Sequence, residues 1–330
     1  MAWRVAAISL PLQPEDDRPG PSPQPPWHGQ ARLRFELSAT GTRFQGRCSA
    51  PLKVQRGFQR ADGRCELPLL HTAGGLVGGD RLSVDIALAA DSRALITSVA
   101  AQKVYGSIGR SRRAPQGDWA LQELNIELAA GADLEWLPQE LVLYADGLYE
   151  QRARVTLAAT ASWLGAEVVR LGRSAAGEQL GAGRWRSLLE IRRLEAGSDV
   201  QDDVDTPQLD SGGGSWVLVD RIELGGESLQ GEHGMGGQPV FGSLVWAAPA
   251  TLPAGELAAL LDQCRQERQG LVGEMACGAL EPGLVARYRG PSTTAARSWF
   301  TRIWSRIRAA RGLAAPELPR VWPFQEEPLR

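Results

Sequence analysis

The chain has 330 residues, of which 43% are hydrophobic, with a formal net charge of −2 and an isoelectric point near 6.0. This length and apolar content suffice for one large or two ordinary domains. The small net charge gives no electrostatic basis for nucleic acid or an anionic membrane as partner, and no apolar run approaches the ~20 residues of a membrane span.

The N-terminal region is rich in proline and polar residues between positions 11 and 30. Such a segment buries too little apolar surface to offset its ordering entropy, so we expect a mobile extension over 1–30 and order from near Ala31. The apolar run at the start is too short for a signal peptide. The four cysteines are widely spread without a CxxC pair, which argues against a disulfide framework or structural zinc and favours the reduced cytoplasm.

A glycine-rich segment, LHTAGGLVGGDRL, occupies residues 70–82. It lacks the GxxxxGK[ST] pattern of a phosphate-binding loop, and its adjacent glycines do not match GxGxxG. Glycine adopts positive φ at little steric cost, so we interpret the segment as a tight structural turn before a strand.

The chain on both sides of this turn shows the alternation of apolar and polar side chains that is typical of half-buried strands. Frequent Gly, Ser and Asp separate the strands, while no fixed-period repeat supports a propeller or a regular β-helix. We therefore predict a mainly β fold in a layered, extended arrangement of many short strands. The predicted strands cover 31–38, 43–54, 82–88, 94–101, 119–128, 134–144 with a break at Pro138, 152–159, 163–171, 184–194, 216–224, 240–248, 271–279 and 283–289.

Two segments near the C-terminus have helical periodicity instead. Apolar residues fall on one helical face between Pro253 and Gly270, and again from Thr293 to Arg311. The second helix is rich in arginine, which a membrane-surface or RNA-binding helix would also show. We favour an apolar stripe docked on a sheet, with the arginines solvated.

No catalytic set is visible. His28, His71 and His233 are the only histidines, and the sequence has no GxSxG, HExxH or kinase motif. Hydrolase or transferase chemistry is therefore disfavoured, because nucleophile, base and orienting group are not recognisable together.

Five sequence blocks occur in an order that resembles the urease accessory protein D family, also called UreH. They cover residues from about 30 to 325 and are LHTAGGLVGGDRL with LITSVAAQKVYGS, then LPQE, GRSAAGE, LVARY and PRVWP. Thr72 and Ala73 stand where many members have proline, and Ser98 where many have threonine. These departures remove no chargeable group.

The resemblance implies one β-rich domain over 31–325, with a short tail at 326–330, folded as a helical stack of sheets with two helices. It implies a non-enzymatic, cytoplasmic urease maturation factor that binds accessory protein F (UreF). Accessory protein F in turn recruits the GTPase accessory protein G (UreG), and the assembly docks on apo-urease and helps insert nickel. No tightly bound cofactor is implied, only transient Ni²⁺.

Carboxylates within or near the matching blocks are the candidate ligands of a nickel passage, because weak oxygen ligands let an ion leave. A carboxylate in apolar β sequence must face solvent, pair with an arginine such as Arg170 or Arg173, or line a polar interior. A pure scaffold that conducts no metal, and a β-rich hydrolase using Glu140 and Asp146, remain as alternatives. The five candidates are Asp80, Glu140, Asp146, Glu167 and Glu178.

Overall fold

The computed structural model describes residues 26–197 and 213–322. Most of the predicted N-terminal extension and the whole short tail lie outside these residues. The first strand begins at His28, three residues before the expected start of order. His28 is therefore part of a strand, and its Nε2 lies 2.9 Å from the Ser83 hydroxyl.

The described residues form eighteen strands and two α-helices, which confirms the mainly β prediction and both predicted helices. In chain order the strands are β1 (His28–Ser38), β2 (Gly41–Cys48), β3 (Leu52–Val54), β4 (Phe58–Gln59), β5 (Cys65–His71), β6 (Arg81–Leu88), β7 (Arg93–Ser98), β8 (Gln102–Val104), β9 (Ala120–Leu128), β10 (Asp133–Trp136), β11 (Leu141–Leu143), β12 (Leu148–Leu157), β13 (Ser162–Leu171), β14 (Arg184–Leu194), β15 (Gly214–Leu224), β16 (Val240–Ala247), β17 (Glu274–Leu280) and β18 (Gly283–Gly290). The helices are α1 (Ala254–Gln266) and α2 (Thr293–Ala310).

The strands form two mixed sheets. The outer sheet has seven strands in the order β15-β14-β12-β9-β6-β1-β2. The inner sheet has eleven strands, ordered β17-β18-β16-β13-β10-β7-β5-β3, with β4, β8 and β11 paired beside this path. Neighbours from β1 to β14 in the outer sheet and from β5 to β13 in the inner sheet run parallel.

The parallel strands arise because the chain passes from one sheet to the other and back. Successive outer strands β6, β9, β12 and β14 begin at residues 81, 120, 148 and 184, and an inner-sheet strand lies between each pair. The unequal spacing explains why a coil of stacked turns leaves no fixed-period repeat in the sequence.

Two apolar cores hold three layers together. One core fills the space between the sheets, with Phe35, Ile86 and Trp185 among its buried side chains. The other lies between the inner sheet and the helices. Ser292 caps α2 by accepting a hydrogen bond from the Ala295 N–H at 3.1 Å, and Trp304 lies on the buried face of the helix.

The arginines of α2 are not all solvated, contrary to expectation. Arg308 is 4% exposed and donates to Glu135 at 3.0 Å, while Arg311 donates to Asp133, also at 3.0 Å. Arg64, from the segment before β5, lies 2.7 Å from the same Asp133. These residues form a buried ionic cluster, because strands of the inner sheet carry acids on the face that α2 covers.

Candidate functional site

A cavity of about 470 Å³ lies between the two sheets. Its lining is mainly apolar and comes from both sheets, including Leu82, Leu124 and Val245. Exposed Gly74 and Lys103 also line it, which places its mouth at the glycine-rich turn and the loop after β7. A volume of this size is in the range of small-molecule sites in proteins, about 300–1,000 Å³.

Small side chains create this space. Ser98 at the end of β7, and Ala100 and Ala101 just beyond it, line the cavity. On β13, a Cβ at Gly165 would lie 2.2 Å from the Trp163 ring, so the glycine leaves room for the indole. These small side chains and Gly165 therefore leave the cavity open on the inner-sheet side.

Glu167 is the only one of the five candidate carboxylates that lines the cavity within the described residues. It lies on β13, is half-buried, and accepts a hydrogen bond from the Gln151 amide on the outer sheet. Burial raises the pKa of Glu167 to about 7, against the opposing effect of the Arg287 guanidinium.

Glu167 belongs to a polar group that spans the sheets at this end of the cavity. Gln151 also donates to the Ser187 hydroxyl at 3.2 Å. Arg287 on β18 donates to Ser243, which lines the cavity, and forms a 2.5 Å ion pair with Asp220. In the sequence, Arg287 is only one residue of the LVARY block, and no local pattern indicates its contact with Asp220.

Two of the other candidate carboxylates support the local backbone. Asp80 is buried and accepts hydrogen bonds from the backbone N–H groups of Trp27 and Val77, each at 2.9 Å. It therefore fixes the exit of the glycine-rich turn. Asp146 has φ of +62° and accepts from the Ala182 N–H at 3.0 Å.

The remaining two candidates are paired with arginines. Glu140 forms an ion pair with Arg297 at 3.2 Å. Glu178 accepts from Arg173 Nε at 2.9 Å, as the sequence suggested for this arginine, and this hydrogen bond lowers the pKa of Glu178. Glu140 and Asp146 have separate partners, so the structure does not show the facing acid pair that a hydrolase would use.

Three residues that line the cavity have buried polar atoms without a hydrogen-bond partner. His71 Nε2, the side-chain amide of Gln139 and the indole N–H of Trp163 are buried and unpaired, and all three residues line the cavity. In the sequence, His71 stands out only as one of three histidines and Gln139 only as part of the LPQE block. Solitary residues of these types carry no signal of their position relative to a cavity.

Residues 26–197 and 213–322 contain no metal-ligand cluster, no disulfide and no helix that could span a membrane. No three His, Cys, Asp or Glu side chains group closely enough to hold a metal ion. The four cysteines lie within these ranges and are free thiols. Nor does any helix there combine the length and apolar character needed to cross a membrane.

The fold and site define a two-sheet β coil with an internal, carboxylate-bearing cavity, and comparison with known proteins adds the family. The family model described as UreD urease accessory protein matches residues 28–323, and the chain belongs to this family of non-catalytic urease maturation factors. It is 58% identical over 305 residues to the urease accessory protein UreD of Synechococcus sp. strain CC9605, covering 92% of this chain and 93% of the relative.

Other cyanobacterial relatives are similar along the same length. The urease accessory protein UreD of Prochlorococcus marinus strain MIT 9303 is 57% identical over 309 residues, covering 92% of this chain and 98% of the relative. That of Synechococcus sp. strain CC9311 is 56% identical over 305 residues, with 92% and 98% covered. The resemblance inferred from the five sequence blocks is therefore confirmed.

Proposed function

We propose that this chain acts in the cytoplasm as the bridge between apo-urease and accessory proteins F and G, and that Ni²⁺ reaches urease through the cavity between the sheets. Family membership supports the role in maturation. The position of Glu167 on the cavity supports the passage. The single domain over 31–325, flanked by the extension 1–30 and the tail 326–330, forms part of this proposal.

The carboxylate of Glu167 lies on the cavity and can interact with a cation that passes through it. An ion that enters a mainly apolar cavity loses water, and a carboxylate offsets part of that cost. With a pKa of about 7, Glu167 exchanges a proton for a metal ion near neutral pH. A single carboxylate also binds weakly enough to release the ion.

The energy for nickel insertion is supplied by a partner protein. The sequence has no phosphate-binding GxxxxGK[ST] loop, so GTP hydrolysis is assigned to accessory protein G. The path runs past Glu167, because the other four candidate carboxylates have structural partners away from the cavity: Asp80, Glu140, Asp146 and Glu178.

The test is urease activation in cells that carry the urease structural and accessory genes, with this chain supplied as wild type or as Glu167→Gln. Glu190→Gln is the matched control, because Glu190 lies on the outer sheet and pairs with Arg154 at 3.3 Å. We expect Glu167→Gln to assemble with its partners in a pull-down and to leave purified urease nickel-poor and inactive.

The same experiment separates the passage from a pure scaffold. If Glu167→Gln activates urease as the wild type does and the urease contains full nickel, the passage is wrong and the scaffold remains. If the wild-type chain itself fails to restore activity to the deletion strain, the role in maturation is wrong.

A further inference from the structure

Two of the four cysteines meet where the first helix packs on the inner sheet. Cys264 lies on α1 and Cys277 on β17. The Cys264 thiol donates a hydrogen bond to the Cys277 sulfur. Both side chains belong to the apolar core between the inner sheet and the helices. The two cysteines come from different secondary-structure elements and form no CxxC motif, so the sequence alone does not reveal the pair.

The packing of α1 on β17 holds the two thiols together. Cys264 lies on the buried face of α1. Next to it, Arg265 Nε donates to the Cys277 carbonyl at 3.1 Å. Arg268, just beyond the helix, donates to the Met275 carbonyl at 3.3 Å. These two hydrogen bonds fix the end of the helix along the strand, and therefore fix residue 264 beside residue 277.

The two thiols differ in acidity and in access. The hydrogen bond from Cys264 and the Arg265 guanidinium lower the pKa of Cys277, although burial opposes them. The same hydrogen bond and burial raise the pKa of Cys264. Cys277 is 7% exposed, whereas Cys264 has no exposed surface. Cys277 is therefore the thiol that ionises first and that a small oxidant meets first.

The surroundings of the pair favour local opening. β17 is the last strand at one edge of the inner sheet and pairs with β18. Of the 13 residues of α1, only Leu260, Leu261 and Cys264 are buried. Elements at the rim of a fold, with few buried contacts, open more often than the core does. An opening that separates α1 from β17 exposes both sulfurs to solvent.

We propose that Cys264 and Cys277 are a reversible thiol–disulfide pair, which in its oxidised form fastens α1 to the edge of the inner sheet. Disulfide formation needs only these two thiols, whereas a metal ion usually takes at least three protein ligands. In the described part of the chain, no group of three His, Cys, Asp or Glu side chains could hold a metal ion. The inference does not rest on the proposed nickel passage.

Hydrogen peroxide is the oxidant in this proposal. The Cys277 thiolate attacks one peroxide oxygen, so an S–O bond forms, the O–O bond breaks, and the leaving hydroxide takes up the thiol proton to become water. The Cys264 sulfur then attacks the sulfenic acid. The S–S bond forms, the S–O bond breaks, and a second water leaves with the Cys264 proton. A small thiol such as glutathione reverses the reaction by two exchange steps and is itself oxidised to its disulfide.

The disulfide closes a short loop that contains the end of α1, the connection after it and the start of β17. Cross-linking a loop of this length disfavours its opened state by a factor on the order of a hundred. The other two cysteines serve as internal controls. Burial raises the pKa of Cys48, and it raises the pKa of Cys65 to about 11, so neither thiol is activated.

The first test maps disulfides in the full-length chain after hydrogen peroxide treatment, acid quenching, unfolding and alkylation of the remaining thiols. Trypsin cleaves after Arg265 and Arg268, so Cys264 and Cys277 fall in separate peptides that only a disulfide joins. We expect the joined peptides after peroxide, and their separation when glutathione is added before quenching. The other two cysteines should be alkylated throughout. Any other pairing, or no cross-link between these two peptides, overturns the proposal.

The second test measures hydrogen exchange in the reduced and the oxidised full-length chain. We expect the backbone amides of α1 to exchange about a hundredfold more slowly in the oxidised form, while those of β9 in the outer sheet stay unchanged. In the Cys264→Ala/Cys277→Ala double variant, peroxide should not slow α1. Cys65→Ala, which removes a buried thiol elsewhere, is the control and should keep the slowing. Equal exchange of α1 in the two wild-type forms overturns the fastening of the helix, and this comparison needs no variant.

Discussion

The raised pKa of Glu167 predicts how the stability of the folded chain varies with pH, independently of nickel. Its usual pKa of 4.5 rises to about 7 in the folded chain, chiefly through burial. Between these values the folded state binds the proton more tightly than the unfolded state does. The contribution of Glu167 to stability is therefore present below pH 4.5 and is lost as pH rises to about 7.

The difference between the two pKa values of Glu167 also gives the size of this contribution to stability. At about 1.4 kcal/mol per pKa unit, the rise from 4.5 to about 7 corresponds to about 3 kcal/mol. This is an upper value, because Glu167 is half-buried and water in the cavity reduces the cost of its charge. Glu167→Gln removes the titration and should be more stable than the wild type above pH 7 by up to about 3 kcal/mol, with the difference shrinking toward pH 4.5.

Urea unfolding at half-unit steps from pH 4.5 to 8 measures this difference directly. Groups that titrate in both proteins contribute equally to the two free energies of unfolding, so their contributions cancel when the proteins are compared at the same pH. Val245→Ala, an apolar change on the same cavity wall, should lower stability by the same amount at every pH. A Glu167→Gln difference that does not vary with pH, or one that shrinks as pH rises, would refute the burial of this charge.

Three further changes test the rest of the structure. Arg308→Met removes the direct hydrogen bonds to buried Glu135, which keeps only Arg64 at 3.4 Å, and should cost about 3–5 kcal/mol in urea unfolding, against less than 1 kcal/mol for exposed Arg221→Met. Burial tends to raise the pKa of Asp133, but the ion pairs with Arg64 and Arg311 outweigh it and lower the pKa. The stabilisation from Asp133 is therefore present above about pH 4 and lost in acid, and Asp133→Asn should flatten the acid limb of the stability profile. Gly165→Ala should push the overlying indole into the cavity and lower stability by about 1–3 kcal/mol, whereas Gly278→Ala, with open space around it, should change little.

Sequence periodicity was sufficient for most of the fold. Alternation predicted β9, β13, β14 and β16 to within about two residues, and helical spacing predicted α1 and α2. It missed β5 as a separate strand, because CELPLLH is a nearly continuous apolar run around one proline. Parallel strands that are buried on both faces do not alternate, so this signal is absent where the sheet is most central.

The site could be predicted only in part. Glu167 stood out as an acid in apolar β sequence, but four similar acids had structural partners that no local pattern revealed. The buried ionic cluster was missed because Arg308 and Glu135 are 173 positions apart. Likewise, the polar group at Glu167 depends on Gln151 from the opposite sheet. Tertiary pairing decides which charges are structural, and a single sequence does not contain that information.

The alternation of the chain between the two sheets has a consequence for how the protein is made. From β6 to β14 each turn adds strands to both walls, but the outer sheet is complete at β15 while the inner sheet still lacks β16, β17 and β18. The cavity wall needs Glu167 on β13, Ser187 on β14 and Val245 on β16, and the nascent chain leaves the ribosome N-terminus first. Until about three-quarters of the chain has emerged, β13 remains an open edge of the inner sheet, because its partner β16 is still missing. Translation itself thus delays the appearance of a closed passage, and a prematurely terminated chain cannot form one.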